Sequence, residues 1–185
     1  FSTLYQKAME GDKDCGGMIA CNYYSGEPVT GLEEGRPMFL RRPDAHFGLA
    51  NFMRSHLYAS LATLKIGLDI LLKEEDVKID SVTGHGGLFK TKGVGQSILA
   101  AAMNAPISVM ETAGEGGAWG MALLAAYMLS KKDGQSLGDY LDSQVFAERK
   151  AETMEPDLAD VAGFEAYTKQ YQACLAAEKA AVQAF

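Results

Sequence analysis

A chain of 185 residues, 48% of them hydrophobic, can bury a sizeable core in one domain, or in one domain with an appendage. Its net charge of −7 argues against a nucleic-acid surface, which usually needs a basic face. The same charge is compatible with ATP, because Mg2+ and backbone N–H groups can carry the phosphates. Cys15, Cys21 and Cys174 form no CxxC pair and share no metal-ligand spacing with His46, His56 and His85, so reduced thiols in a cytoplasmic protein are expected. These residues show no signal-peptide pattern and no apolar run of bilayer length, and no membrane role is expected. The first residue is Phe1 rather than Met, and the expectation is a piece of a longer protein.

Residues 1–16 open with a short amphipathic stretch that Gly16-Gly17 breaks. Met18 to Tyr24 reads as a buried strand, and Ser25 to Pro43 as a loop rich in Gly, Pro and charge. Phe52, Leu57, Leu61, Leu64, Leu68 and Leu71 fall near a helical period and predict a helix from about residue 50 to 73. Ile79 to Thr83 predicts a strand. Val94, Ile98, Leu99, Ala102 and Met103 predict a second helix, which Asn104 and Pro106 stop. Ile107 to Met110 is a further strand. Thr112-Ala-Gly-Glu115 has the form of a capping box opening a third helix that runs to about Ser130. Lys131 to Met154 is polar, with a short helix around Leu137–Val145. Phe164, Tyr167, Tyr171, Cys174 and Leu175 mark a last helix that becomes Ala-rich. Strand and helix alternate from residue 18 onward, which predicts an α/β domain with helices packed on a sheet.

Between the strand ending at Thr83 and the helix opening at Val94 lies GHGGLFKT, Gly84 to Thr91. Gly86 and Gly87 lack Cβ, so a flat ring or a ribose can lie against the main chain there. Leu88 and Phe89 offer apolar contact, and Thr91 can cap the next helix or bond a base edge. The stretch is neither GxGxxG with a later acidic residue nor GxxxxGK[ST]. On residue types alone, a tight turn and a ligand site explain it equally well. His85 has no triad partner at a suitable spacing and reads as a turn histidine. Lys90 and Lys92 can attract phosphate or stand solvated. In the third helix Gly114, Ala118, Ala122 and Ala126 recur every fourth residue and form a thin ridge, suited to ordinary packing or to a close helix crossing at a hinge. Tyr23 to Glu27 and Arg36 to Asp44 can line a cleft or form a solvated loop.

Five stretches in this order resemble the C-terminal half of the FGGY carbohydrate kinases, within the sugar kinase/Hsp70/actin-like superfamily. They are GMIACNYYSGE (17–27), NFMRSHLYASLATLKIGLDIL (51–71), SVTGHGGLFKTKGVGQSILAAAMNAPI (81–107), ETAGEGGAWGMALLAAY (111–127) and the tail from Met154-Glu-Pro-Asp157 through Tyr167 and Tyr171. The resemblance implies an actin-like ATPase (ribonuclease H-like) lobe, a mixed sheet flanked by helices. Residues 1–185 would be the C-terminal, ATP-binding domain with a helical tail at about 155–185, and the N-terminal sugar-binding lobe would be absent. By the motif match, Gly86, Gly87 and Leu88 would lie along the adenosine of ATP, and Thr91 would face the adenine edge. His85 displaces the third glycine of the family's common triplet.

What the resemblance implies for function is transfer of the ATP γ-phosphoryl group, with Mg2+, to a ketopentose, D-xylulose ahead of L-ribulose. The catalytic base and phosphate loops would lie upstream, so the chain alone is expected to be inactive. Its expected partners are ATP, a small sugar and its own N-terminal lobe, with a homodimer as a further expectation. A non-enzymatic actin-like nucleotide-binding module is the alternative. A dinucleotide-dependent oxidoreductase is disfavoured, since it needs a strand-GxGxxG-helix and a ribose-binding acid.

Overall fold

The computed structural model describes residues 1–79, 81–111, 113–147 and 151–184. The short helix α1 (Ser2–Ala8) leads to a 3-10 turn at Cys15–Gly17 and into β1 (Met18–Cys21). All four residues of β1 are buried, as its unbroken apolar run predicts. β1 pairs antiparallel with β2 (Met38–Arg41), in the register Met18↔Arg41 to Cys21↔Met38. β2 lies inside the segment that the sequence predicts to be a loop. It is only four residues long, half-buried, and bracketed by Pro37 and Pro43, so the turn residues around it outweigh its own signal. The remainder of that segment is anchored from a distance, because the buried Glu178 carboxylate accepts the backbone N–H of Arg36 at 2.6 Å.

α2 (Leu49–Asp69) matches the strongest periodic signal, burying Leu57, Tyr58, Leu61 and Ala62. Its last turn widens into a π-type turn at Ile70–Glu74. β3 (Val82–Gly84) runs parallel to β4 (Ile107–Val109), with α3 (Val94–Met103) between them. Asn104, in the left-handed conformation, ends α3, as expected of a residue that tolerates positive φ. β5 (Glu152–Met154) then adds antiparallel to β4. This strand has no apolar alternation to announce it. It is held instead by the buried Gln96, whose Nε2 donates to both Ile107 O and Glu152 O at 2.7 Å, tying α3 to two neighbouring strands. The expected mixed sheet is therefore β3–β4–β5, while β1 and β2 form a separate antiparallel ribbon.

Beyond β4 come α4 (Gly116–Ser130), the short α5 (Leu137–Tyr140) and, after β5, the long α6 (Leu158–Ala184). α6 starts two turns ahead of the first aromatic of its stripe because Asp157 caps it. One carboxylate oxygen of Asp157 accepts the N–H groups of Ala159 (2.9 Å) and Asp160 (3.0 Å). α6 packs on α2, α3 and β1 through Phe164, Tyr167 and Tyr171, all buried. At Gly163 it meets the backbone of Lys13, where an added Cβ would lie 2.2 Å from the carbonyl oxygen.

Arg54 sits at the centre of this packing, 1% exposed. Its guanidinium donates to Asp160 on α6, to the hydroxyl of Tyr58 at 2.8 Å, and toward the carbonyls of Met9 and Gly11 at 3.4 Å. Lys13 joins the same Asp160 carboxylate at 2.8 Å. Nearby, Asn51 accepts from Asp12 N at 2.6 Å and donates to the Asp12 carboxylate at 2.9 Å, which His46 Nδ1 also reaches at 3.0 Å.

Removing one member of a buried pair leaves the other charge uncompensated, so Arg54→Met should lower the stability of the chain by about 3–5 kcal/mol in urea unfolding. The double variant Arg54→Met/Asp160→Leu should recover much of that loss. The hydrogen bond from Asn51, and next that from His46, hold the Asp12 carboxyl below its ordinary 3.8. That stabilisation is present above about pH 4 and is lost as the pH falls through the lower folded value. Asn51→Ala should therefore flatten the acid limb of the stability–pH curve and leave its neutral region the less stable.

Candidate functional site

β3 delivers the chain to Gly84, which is buried beneath the ring of Phe89; an added Cβ there would stand 2.4 Å from that ring. Gly86 has φ +108°, a conformation that favours glycine. The N–H of Phe89 donates to Gly86 O at 3.1 Å and closes the 3-10 turn Gly87–Lys90. A side chain added at Gly86 or Gly87 would meet no atom within 4 Å. The main chain is thus bare and open at these two positions, and their glycines are not explained by crowding from inside the molecule. Leu88 is different. It is half-buried against the core, and its carbonyl and side chain press on α3 at Gly95, where an added Cβ would come within 2.6 Å of Leu88 O.

Thr91 is buried. Its hydroxyl donates to Ser2 Oγ at 3.4 Å, and its carbonyl accepts Val94 N at 3.3 Å as α3 begins. It lines a cavity of about 390 Å³ together with Phe89, Gln96, Met110, Glu111 and Glu152. Of the four residues singled out for a nucleotide, Thr91 lines this cavity, while Gly86, Gly87 and Leu88 form the turn that leads to it. The signal that sequence reasoning overlooked is Gln96, which shapes the cavity wall while holding β4 and β5 together. Its position three residues into a helix next to a glycine turn marks it only once the strands are in place.

The two glycine-rich stretches, thirty residues apart in sequence, meet in the fold. The aliphatic stem of Lys90 lies across Gly114, with Cγ 3.0 Å from where a Cβ would stand, and its ammonium reaches Glu115 at 2.6 Å. The imidazole of His85 lies over Gly116, with Nδ1 3.1 Å from the corresponding point. Lys90 and Lys92 both face carboxylates, Lys92 pairing with Glu152 at 3.4 Å. The predicted capping box falls partly on Thr112, which lies outside the described residues. Its other half, Glu115, makes no side-chain capping bond to α4 and serves Lys90 instead.

α4 buries none of its residues. Of the small-residue ridge, Gly114 faces Lys90, Ala118 and Ala122 are exposed, and Ala126 is half-buried. Among the described residues no group of three or more His, Cys, Asp or Glu side chains is placed to hold a metal ion. The cysteines are free, and burial pushes the thiol of Cys21 up to about 12. No helix among the described residues is long and apolar enough to cross a membrane.

The chain superposes along nearly its whole length on solved kinase structures, and its fold is that of the actin-like ATPases. Gluconate kinase from Lactobacillus acidophilus superposes with a TM-score of 0.69 at 19% identity, over 94% of this chain and 34% of that one. Xylulose kinase from the same organism gives 0.69 at 20%, over 95% and 35%. Plasmodium falciparum glycerol kinase, solved with ADP, gives 0.63 at 18%, over 96% and 33%. This chain thus spans about a third of the length of these relatives. Residues 2–129 match the C-terminal domain of the FGGY family of carbohydrate kinases, and the chain belongs to that family. No curated protein sequence matches it.

The tight seating of Phe89 on Gly84 yields a test of the turn. Gly84→Ala should destabilise the chain by about 1–3 kcal/mol through overpacking. Pairing it with Phe89→Leu should restore part of that loss, since contacting sites couple. Denaturant midpoints of the two single variants and the double variant measure the coupling.

Proposed function

We propose that this chain is the nucleotide-binding lobe of an ATP-dependent sugar kinase, and that residues 1–185 comprise the C-terminal domain with its helical tail from about 155. The adenosine of ATP rests on the turn after β3, along Gly86, Gly87 and Leu88, with Thr91 toward the adenine. The observation that carries this reading is the bare, open main chain at Gly86 and Gly87, in a stretch covered by the family match. A Cβ there would fill the space that a flat nucleoside needs. The glycerol kinase solved with ADP, which shares the fold, supports the same reading.

Bound ATP with Mg2+ supplies the transferable γ-phosphoryl group. The residues of this chain supply the support for the nucleoside and a turn held rigid by Phe89 over Gly84 and Lys90 across Gly114. Phosphoryl transfer depends chiefly on positioning and charge stabilisation around the transferring group. We assign the proton acceptor for the sugar hydroxyl and most sugar contacts to an N-terminal lobe outside this chain. The acceptor class is a ketopentose, D-xylulose first and L-ribulose second. The xylulose kinases among the similar structures support that choice, and the gluconate and glycerol kinases beside them set the comparison substrates.

Two measurements test this reading. Mg-ATP should bind the 185-residue chain in titration calorimetry, and Gly87→Val should weaken that binding at least tenfold while leaving the unfolding free energy within about 1 kcal/mol, since a Cβ there meets open space. Equal affinity of the variant would remove the turn from the site. In a coupled ADP-release assay the chain alone should show no sugar-dependent turnover with D-xylulose, L-ribulose, gluconate or glycerol. Turnover by the chain alone would place the proton chemistry within residues 1–185.

A further inference from the structure

The wall of the cavity beside Thr91 holds one polar group that the fold fixes in place and uses only in part. Gln96 lies in the first turn of α3 and is 5% exposed. Its Nε2 donates to Ile107 O and to Glu152 O, both at 2.7 Å, and these two bonds occupy both amide hydrogens. Its Oε1 accepts no hydrogen bond from the described residues, and the opening that reaches Gln96 is the cavity it lines.

The polarity of this amide is locked. Turning it over would aim Oε1 at two carbonyl oxygens and forfeit both bonds. Thr91 in the same wall is different, because a hydroxyl can turn to donate or to accept and so cannot by itself tell a donor from an acceptor. Glu111 and Glu152 also line the cavity, but both are exposed, and water competes for their oxygens. The cations in the wall, Lys90 and Lys92, are paired with Glu115 and Glu152. What the cavity offers a ligand is therefore one buried acceptor of fixed direction. Its volume of about 390 Å³, with Val109 and Met110 as apolar wall, suits a purine ring. Purines differ in what they present at position 6: adenine carries an amino donor, guanine a carbonyl acceptor.

We propose that Gln96 selects the base: its Oε1 accepts the exocyclic amino group of adenine, so the site takes a 6-aminopurine and turns away a 6-oxopurine. One side chain then has two duties, its nitrogen joining β4 to β5 and its oxygen reading the nucleotide. The assignment rests on the adenosine placement proposed for the turn after β3.

Titration calorimetry on the 185-residue chain compares the magnesium complexes of ATP, inosine triphosphate and purine riboside triphosphate, which has no 6-amino group. ATP should bind about tenfold more tightly than inosine triphosphate, which sets acceptor against acceptor, and roughly threefold more tightly than purine riboside triphosphate, which leaves Oε1 unpaired. Gln96→Met removes the acceptor and should bring ATP and inosine triphosphate within about twofold of each other. A purely structural Gln96 would weaken both alike and leave their ratio unchanged. Equal affinity of the unaltered chain for ATP and inosine triphosphate, or a ratio that survives in Gln96→Met, would overturn the assignment and leave the nucleotide site standing. Binding of none of the three would remove the nucleotide site, and the assignment with it. Should Gln96→Met lose its near-ultraviolet circular dichroism, signalling that it has unfolded, the unaltered chain decides by NMR. The Cδ resonance of Gln96 should move further downfield with ATP than with purine riboside triphosphate, and equal movement with the two would overturn the assignment.

Discussion

The guanidinium of Arg54 is the interaction on which the rest of the fold depends. It is a permanent charge almost without solvent, and a charge in that position must be answered by its surroundings, here through its two terminal nitrogens. The answers come from parts of the chain far apart in sequence: Met9 and Gly11 after α1, Tyr58 one turn along α2, and Asp160 in the first turn of α6. Tyr58 contributes twice, through its hydroxyl and through its ring, 5.0 Å from the guanidinium carbon. The long closing helix is thereby fixed at its N-terminal end, where Asp157 caps it and Gly163 lets it touch the backbone of Lys13. From that anchor the stripe Phe164, Tyr167 and Tyr171 falls onto α2 and β1, with the hydroxyl of Tyr167 donating to Ser55 O at 3.1 Å. A hydrophobic substitute for the pair could match it in stability, but would not specify which end of α6 meets which turn of α2.

The helices were the legible part of the sequence, most of all α2 and α3, whose apolar positions keep a helical period. α3 lies where its apolar positions and Asn104 put it, and α2 differs from expectation only in the turn at its end. The strands were less legible. β1 is buried throughout and β4 at Ile107, and both read as apolar runs, whereas β2 and β5, of the same lengths, are half-buried or exposed and recruited by partners. β5 in particular is specified by Gln96, a residue over fifty positions away, and no local pattern encodes such a contact. The start of α6 was encoded at Asp157 but was masked by the louder aromatic stripe that follows.

The candidate site shows the same division. The need for glycine at 84, 86, 114 and 116 was visible as two glycine-rich stretches. What each glycine serves was not visible, since three of them yield to side chains of the other stretch or of their own turn. Gly84 yields to Phe89, Gly114 to Lys90 and Gly116 to His85, while Gly86 carries a positive φ and faces open space. His85 thus has a definite place as one of the contacts between the two turns. Lys90, which the sequence allowed as a phosphate ligand or a solvated residue, lies along Gly114 and is paired with Glu115.

α4 has a consequence for the order in which the molecule comes apart. Its sequence is apolar on all sides, yet Met121, Met128 and Leu129 are 69%, 76% and 90% exposed. Each such side chain forgoes roughly 1.5–3 kcal/mol that full burial would supply. Among the described residues, its own hydrogen-bond ladder, the ring contact between Tyr127 and Tyr140 and the hydrogen bond from the Tyr127 hydroxyl to Gln135 O at 2.7 Å help to hold the helix. α2 and α6 are locked through Arg54 and the aromatic stripe, so α4, which buries none of its residues, should open locally more readily than they do. The His85 and Lys90 contacts join the start of α4 to the glycine turn, so any opening of α4 would be felt at the turn proposed to carry the nucleoside.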